Sequence, residues 1–92
     1  MAQIVDVQPK DIYTVKLSYN DGLTGDINLV KAIERNNFYE LKNNSEFEKV
    51  YVDQITNELC WPSGVRMCGN ALHKQLSLLC LMNRLKINLD ND

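Results

Sequence analysis

One histidine and three cysteines are the side chains of this sequence whose chemistry could support nucleophilic catalysis or metal binding. A cysteine nucleophile needs a base beside it, but Cys68 and Cys80 stand at spacings from His73 that are not typical of a catalytic pair. A zinc site made from these three residues and Cys60 would lack the closely spaced ligand pair that usually nucleates such sites. The pattern favours reduced thiols in or near the core, so we expect neither a metal site nor a cofactor.

The carboxylates also offer no catalytic pair. Acid–base catalysis needs two groups in a shared cleft whose pKa values are driven apart. Asp21 falls in a predicted turn and Asp26 on the polar face of a predicted strand. Glu46 and Glu48 flank Phe47 in a connecting segment. No glycine-rich phosphate loop is present either, and we therefore predict that the protein is not an enzyme.

Positive charge is concentrated in the C-terminal third of the chain. No acidic residue occurs from Leu59 to Leu89, although the formal net charge of the whole chain is −2. The cations of this stretch are Arg66, Lys74, Arg84 and Lys86. Because they are neither clustered nor interleaved with aromatic residues, they fall below a typical nucleic-acid footprint. A stretch that is simply short of charge is the leading interpretation, and a weak basic face that binds nucleic acid is the alternative.

The elements that would position these residues begin with a β-hairpin. Apolar positions alternate with polar ones on both sides of an Asn-Asp-Gly sequence: Tyr13, Val15, Leu17 and Tyr19 before it, then Leu23, Gly25, Ile27 and Leu29 after it. Gly22 tolerates a positive φ, so the pattern predicts a tight turn between two strands. A short apolar run from Gln3 to Val7, ended by Pro9, predicts a strand before the hairpin.

Shorter elements fill the middle of the chain. Asn28 is placed to cap a short helix that ends near Arg35. Residues 50–52 and 59–61 have strand character, and residues 65–68 are predicted to be a short extended piece.

Trp61, the only tryptophan, has two interpretations. Tryptophan is favoured at the centre of protein interfaces, and Arg66 follows a few positions later. Alternation with Leu59 instead points the ring toward the core, where its large area would dominate burial in so small a fold. We expect a core position.

The last helix is predicted to begin after Asn70 and to reach about Asn83. Its main apolar stripe is Leu72, Leu76, Leu79 and Met82, and Leu78, Cys80 and Leu81 widen that stripe nearly all the way round. A helix on a small sheet can bury only one face, so this pattern fits either cover by neighbouring loops or a contact with another copy of the chain. Residues 85–89 alternate and fit an added strand or a helix end.

Together these elements predict a single α+β domain over residues 1–92. Its expected core is a small mixed or antiparallel sheet of about five strands with two or three short helices, the longest of them C-terminal. The first residues lack the pattern of a secretory signal, and no stretch reaches the roughly 18 apolar residues of a membrane span. We therefore expect a cytoplasmic protein without membrane association.

Several motifs resemble a known family when they are taken in order. They are Tyr19-Asn20-Asp21-Gly22, Phe38-x-x-Leu41, Phe47-x-x-Val50-x-Val52-Asp53, and Trp61-Pro62-Ser63-Gly64 before Leu72. Over roughly residues 3–76 they resemble the bacterial domain of unknown function family 2442. The resemblance implies an α+β fold with no established activity, and a toxin–antitoxin-like pairing with a second small protein. Arg66 departs from the family pattern, in which an acidic residue is usual, and Gly69 stands where proline is common.

The sequence thus predicts a non-catalytic protein-interaction module that forms a homodimer through its C-terminal helix and pairs with a small protein partner. The alternative is a nucleic-acid-binding accessory protein that uses the weak basic C-terminal face. The candidate interaction surface consists of Arg66, His73, Lys74, Leu78, Leu81 and Arg84.

Overall fold

The computed structural model describes the backbone of residues 2–90 and the side chains of residues 2–83. In chain order the elements are β1 (Ile4–Pro9), β2 (Thr14–Tyr19), β3 (Thr24–Asn28), α1 (Val30–Arg35), a 3-10 turn (Tyr39–Lys42), α2 (Asn44–Phe47), β4 (Tyr51–Asp53), β5 (Glu58–Cys60), β6 (Arg66–Cys68) and α3 (Gly69–Asp90). The predicted α+β class is confirmed, and so is the C-terminal position of the longest helix.

The strands form two antiparallel sheets, which we call sheet A (β1-β2-β3) and sheet B (β4-β5-β6). The prediction of one sheet with about five strands is therefore wrong. The two sheets meet where the side chain of Asn57 stands between them. Its Oδ1 accepts from the Ile4 N–H at 2.8 Å, and its Nδ2 donates to the Ala2 carbonyl at 3.0 Å. An amide side chain thus satisfies the backbone groups that a continuous ladder would otherwise pair.

The predicted hairpin is confirmed as β2 and β3. Lys16 pairs with Asp26 in the middle of the ladder, Leu17 pairs with Gly25 next to it on the turn side, and the turn contains Gly22 at a φ of 94°. The carboxylate of Asp21 accepts from the Leu23 N–H at 3.0 Å, which closes the turn. An aspartate followed by glycine therefore acts here through the local hydrogen bond and the permitted φ that its sequence predicts.

Asparagine side chains hold the ends of the two short helices. The N-cap of α1 is Leu29 and not the predicted Asn28, but Oδ1 of Asn28 accepts from the Val30 N–H at 2.9 Å from one residue earlier. Asn43 does the same for the Ser45 N–H at the start of α2. These local bonds satisfy backbone donors that a helix start leaves without partners.

The core lies between the inner face of sheet A, sheet B and the first turns of α3. Its largest fully buried side chains are Trp61, Phe47, Ile4, Leu17, Ile27, Leu29, Ile33, Leu41, Leu59 and Leu76. The Trp61 ring lies 6.0 Å from that of Phe47, and its Nε1 donates to the Phe47 carbonyl at 3.0 Å. The core interpretation of Trp61 is confirmed, because only 1% of the residue is exposed.

Helix α3 packs closely on β3 through a glycine. A Cβ at Gly25 would lie 3.1 Å from Cδ1 of Leu76, so the missing side chain lets the helix approach the strand. Leu72 and Leu76 are buried there. The backbone continues as one helix to Asp90, so residues 85–89 belong to a helix and not to an added strand.

Helix α3 buries Leu72 and Leu76, but most of its described residues from Leu78 to Asn83 are exposed. The Cα radius of gyration is 13.9 Å and the principal extents are 47 × 27 × 20 Å. A compact domain of this length would have a radius of gyration of about 12 Å. Among the described residues, neither α3 nor any other helix combines the length and apolarity needed to cross a bilayer.

Candidate interaction surface

The six residues of the predicted surface do not form one patch. Leu78 and Leu81 lie exposed on α3, and Lys74 is exposed one turn earlier. His73 bonds with the β2–β3 turn, whereas Arg66 lies in sheet B. The side chain of Arg84 lies outside the described residues. The structure therefore brings together the apolar members of the set and separates Arg66 from them.

Arg66 is engaged by acidic residues of its own sheet. Its Nη2 lies 2.6 Å from Oδ2 of Asp53 and 3.1 Å from Oγ1 of Thr56, and its Nε lies 2.9 Å from Oε1 of Glu58. The hydrogen bonds from the guanidinium are the main reason that the pKa values of both carboxyl groups are lowered. The Arg66 side chain on β6 thus links β6 to β4 and β5.

The carboxylates around Arg66 predict a stability that depends on pH. Asp53 and Glu58 have lowered pKa values in the folded chain, so their contribution is complete above the unfolded values of about 4 and disappears as the pH falls through the folded values. Urea unfolding should show a falling free energy of unfolding from about pH 5 to about pH 3. We expect a shallower decline in Arg66→Met, because the neutral side chain no longer lowers either pKa.

Arg35→Met is the matched control for this experiment. Arg35 is exposed in the last turn of α1 and has no ion pair within the described part of the chain. Its variant should keep the wild-type dependence of stability on pH. Equal slopes for the Arg66 and Arg35 variants would show that the ion pairs of sheet B make no contribution in solution.

His73 joins the first turns of α3 to the hairpin. Its Nε2 lies 2.8 Å from Oδ2 of Asp21, and its ring meets that of Tyr19 edge-on at 4.7 Å. The Tyr19 hydroxyl donates to the Gly69 carbonyl at 2.8 Å, and burial is the main cause that raises the Tyr19 pKa to about 12. The pKa of Asp21 is lowered, first by the Leu23 N–H and then by His73. His73 therefore positions α3 on sheet A.

The three cysteines lie in different environments. Cys60 is buried, Cys80 is half-buried and Cys68 is exposed. Burial raises the pKa of the Cys60 thiol, which makes it a poorer nucleophile. Within the described part of the chain, histidine, cysteine and acidic side chains form no group of three or more that could hold a metal ion.

An exposed apolar surface lies on α3 between residues 78 and 82. We call it the α3 apolar arc and define it by Leu78, Leu79, Leu81 and Met82, which are 55%, 37%, 52% and 61% exposed. These residues span about 160° of the helix circumference. Residues 75–83 contain no charged side chain, so the exposed leucines have no charged neighbour within this segment.

Leu79 and Met82 belong to the stripe that the sequence predicts as the buried face. Their exposure shows that the sheet ends before the helix does, since Leu72 and Leu76 on the same stripe are buried. Periodicity identifies which residues share a face of a helix, but it does not say how far the layer beneath that face extends.

A cavity of about 280 Å³ borders the apolar arc, and we call it the α3–β3 cavity. Of the side chains that the structure describes, those that line it are Leu23, Ser77, Cys80 and Leu81. Another open cavity of about 260 Å³ lies between α1, β6 and α3, where Phe38, Met67 and Leu72 contribute to the lining together with Arg66 and Cys68. Sequence analysis identified neither, because each is lined by elements distant in the chain.

Comparison with protein-family models, with curated proteins and with solved structures finds no match for this chain. The resemblance to family 2442 therefore stays a prediction. The functional interpretation depends on the chain's own surface.

Proposed function

We propose that the protein is a non-catalytic interaction module that self-associates through the α3 apolar arc. The observation that carries this proposal is the overhang of α3, whose apolar residues continue past the end of the sheet that buries Leu72 and Leu76. A helix that is apolar nearly all round is usually enclosed by other protein. Here the described chain encloses only its first turns.

The size of the exposed surface supports a weak, reversible contact. Four partly exposed side chains of this kind leave roughly 400 Å² of apolar area in solvent, a size at which a patch on a monomer is often functional. A stable interface buries about 800 Å² on each partner. The arc supplies about half of that area, so we expect a micromolar rather than a nanomolar dissociation constant.

A second copy is the occupant that fits the arc most simply. Most soluble oligomers are symmetric, and a two-fold axis across α3 would place the same apolar residues of both copies against each other. No charged side chain from residues 75–83 would be desolvated in such a contact. The absence of charge thus favours close packing of one helix on its equivalent.

Leu78→Ser tests this self-association. The substitution removes two apolar contacts from a symmetric dimer, about 1 kcal/mol each at this exposure, so the dissociation constant should rise about 30-fold. Sedimentation equilibrium from about 1 μM to about 1 mM protein would measure the change. The free energy of unfolding of the monomer should stay nearly constant, because Leu78 is exposed.

Ile55→Ser provides the matched control. Ile55 is 96% exposed and lies between β4 and β5, so its variant loses an exposed apolar side chain without changing α3. Its dissociation constant should equal that of the wild type. A wild-type protein that stays monomeric over the whole concentration range would contradict the proposed function.

The resemblance to family 2442 supports a further part of this proposal, a toxin–antitoxin-like pairing with a second small protein. This part rests on the resemblance alone. It predicts that the chain and the product of its neighbouring gene form a complex of defined stoichiometry when they are produced together. Two proteins that migrate separately at concentrations of about 100 μM would argue against the pairing.

The nucleic-acid alternative stays a prediction. Arg66, one of its four cations, is engaged by two carboxylates, whereas Lys74 is exposed on α3. Binding that depended on phosphate neutralisation would weaken steeply with added salt.

A further inference from the structure

The α3–β3 cavity lies beside the apolar arc and shares Leu81 with it. Leu23 contributes from the β2–β3 turn, just before the first residue of β3, and Ser77, Cys80 and Leu81 contribute from α3. Gly25 lies next to this cavity, because a Cβ placed on it would be 4.0 Å from Sγ of Cys80. The cavity therefore opens where the helix begins to leave sheet A.

We infer that this cavity receives the Leu78 side chain of a second copy of the chain. The inference rests on the proposed self-association and adds the seat of the contact. A cavity of about 280 Å³ is many times the roughly 30 Å³ that one water molecule occupies in the liquid, so it has room for a leucine side chain. None of the described side chains that line it is acidic or basic, so an apolar side chain enters past these residues without desolvating a charge on them.

The area needed for a dimer also favours use of the cavity. The arc alone supplies roughly 400 Å² per copy, about half of a standard interface. Seating Leu78 in the cavity adds contact with Leu23 and Cys80, and therefore brings the β2–β3 turn of one copy against α3 of the other. Two helices that met only along their arcs would leave this cavity in solvent.

The occupant is a second copy of the chain because Leu78 and the cavity lie close together on α3. Leu78 is 55% exposed and stands one residue from Ser77 and two from Cys80 on α3. In a two-fold arrangement each copy offers the same protrusion and the same cavity, so both contacts form together. The surface is thus self-complementary over a single turn of helix.

Thiol reactivity in the wild-type protein tests this arrangement. Cys80 lines the cavity and is half-buried, whereas Cys68 is exposed on β6 and serves as an internal control. We expect alkylation of Cys80 by iodoacetamide, followed by mass spectrometry, to slow by about tenfold or more as the protein concentration passes the dissociation constant. The rate at Cys68 should not depend on concentration. Leu78→Ser should restore the fast rate at Cys80.

Two leucine substitutions distinguish a specific contact in the cavity from non-specific hydrophobic association. Ser77→Leu fills the cavity and should raise the dissociation constant by about tenfold or more, although it makes α3 more apolar. Gln75→Leu adds the same side chain at an exposed position of α3 outside the cavity, and it should not weaken the dimer. If the association were non-specific and hydrophobic, both variants would associate more tightly than the wild type.

The outcomes distinguish this inference from the proposed function. A dimer whose Cys80 reacts at the monomer rate, or that Ser77→Leu strengthens, would overturn the cavity contact and leave self-association standing. A protein that is monomeric at every concentration would remove the proposed function itself. Protection of Cys80 by phosphatidylcholine vesicles rather than by protein concentration would assign the cavity to a lipid chain and so overturn the inference.

Discussion

Gly69→Ala is expected to lower the free energy of unfolding by about 3 kcal/mol, the upper end of the usual cost of overpacking. The new Cβ would collide with the carbonyl oxygen of Asn57 and would lie 2.9 Å from Cδ1 of Ile4. The Asn57 carbonyl is part of the backbone, so it cannot move away from the new Cβ by a bond rotation as the end of a side chain can. The Gly69 N–H also donates to the Asn57 carbonyl at 2.8 Å, so relieving the collision would lengthen a hydrogen bond.

Gly25→Ala is the matched control for this measurement. The Cβ of that variant would meet Cδ1 of Leu76 at 3.1 Å, the end of a flexible side chain that can shift. Urea unfolding followed by Trp61 fluorescence should therefore give a clearly smaller loss, about 1 kcal/mol. Equal losses in the two variants would show that the collision at Gly69 is relieved at no special cost.

The same contact accounts for glycine rather than proline at position 69. A proline would have no N–H to donate to Asn57, and its ring would occupy the space that the glycine leaves empty. Asn57 itself has a φ of 58° and bonds through its side chain to Ile4 and Ala2. The start of α3 and the start of β1 are thus both held by Asn57. The direction of the α3 overhang depends on this junction.

Local sequence patterns were sufficient to predict the hairpin, but they were not sufficient to predict the number of sheets. The alternation around Gly22 determines β2 and β3 because strand pairing and turn geometry there involve neighbouring residues. The division into two sheets depends on the hydrogen bonds between Asn57 and residues 2–4, which are 53 and 55 positions away. No local pattern distinguishes an asparagine that separates two sheets from one that only forms a turn.

For the candidate surface, the sequence placed apolar residues on α3 but showed neither the ion pairs of Arg66 nor the α3–β3 cavity. Helical periodicity identified Leu78 and Leu81 as residues that widen the apolar stripe of α3, and both are exposed. The pairing of Arg66 with Asp53 and Glu58 depends on the register of β5 with β4 and β6, so the charge count alone does not show that Arg66 is paired within its own sheet. The α3–β3 cavity needs Leu23 and Cys80 to meet in space, which only the packing of α3 on sheet A determines.

Trp61→Ala is expected to lower the free energy of unfolding by about 4 kcal/mol, within the range for removal of a fully buried tryptophan. The residue is 1% exposed and packs against Phe47, so its loss leaves a large cavity at the centre of the core. Because the free energy of unfolding of a small domain is usually only marginal, a loss of this size should leave a substantial unfolded population. Circular dichroism during urea unfolding would measure it, since the fluorescent probe is removed.

Trp61→Phe distinguishes a core role from an interface role in a variant that remains folded. It removes the hydrogen bond from Nε1 to the Phe47 carbonyl, which still accepts from the Val50 N–H at 3.3 Å, so the expected loss is about 1–2 kcal/mol. Because Trp61 does not reach the surface, the dissociation constant of the dimer should match the wild-type value while the free energy of unfolding falls. An interface tryptophan would give the opposite result, with weakened association and unchanged stability. The burial of Trp61 and the exposure of Leu78 thus make separable predictions, the first for the folding of each copy and the second for the contact between copies.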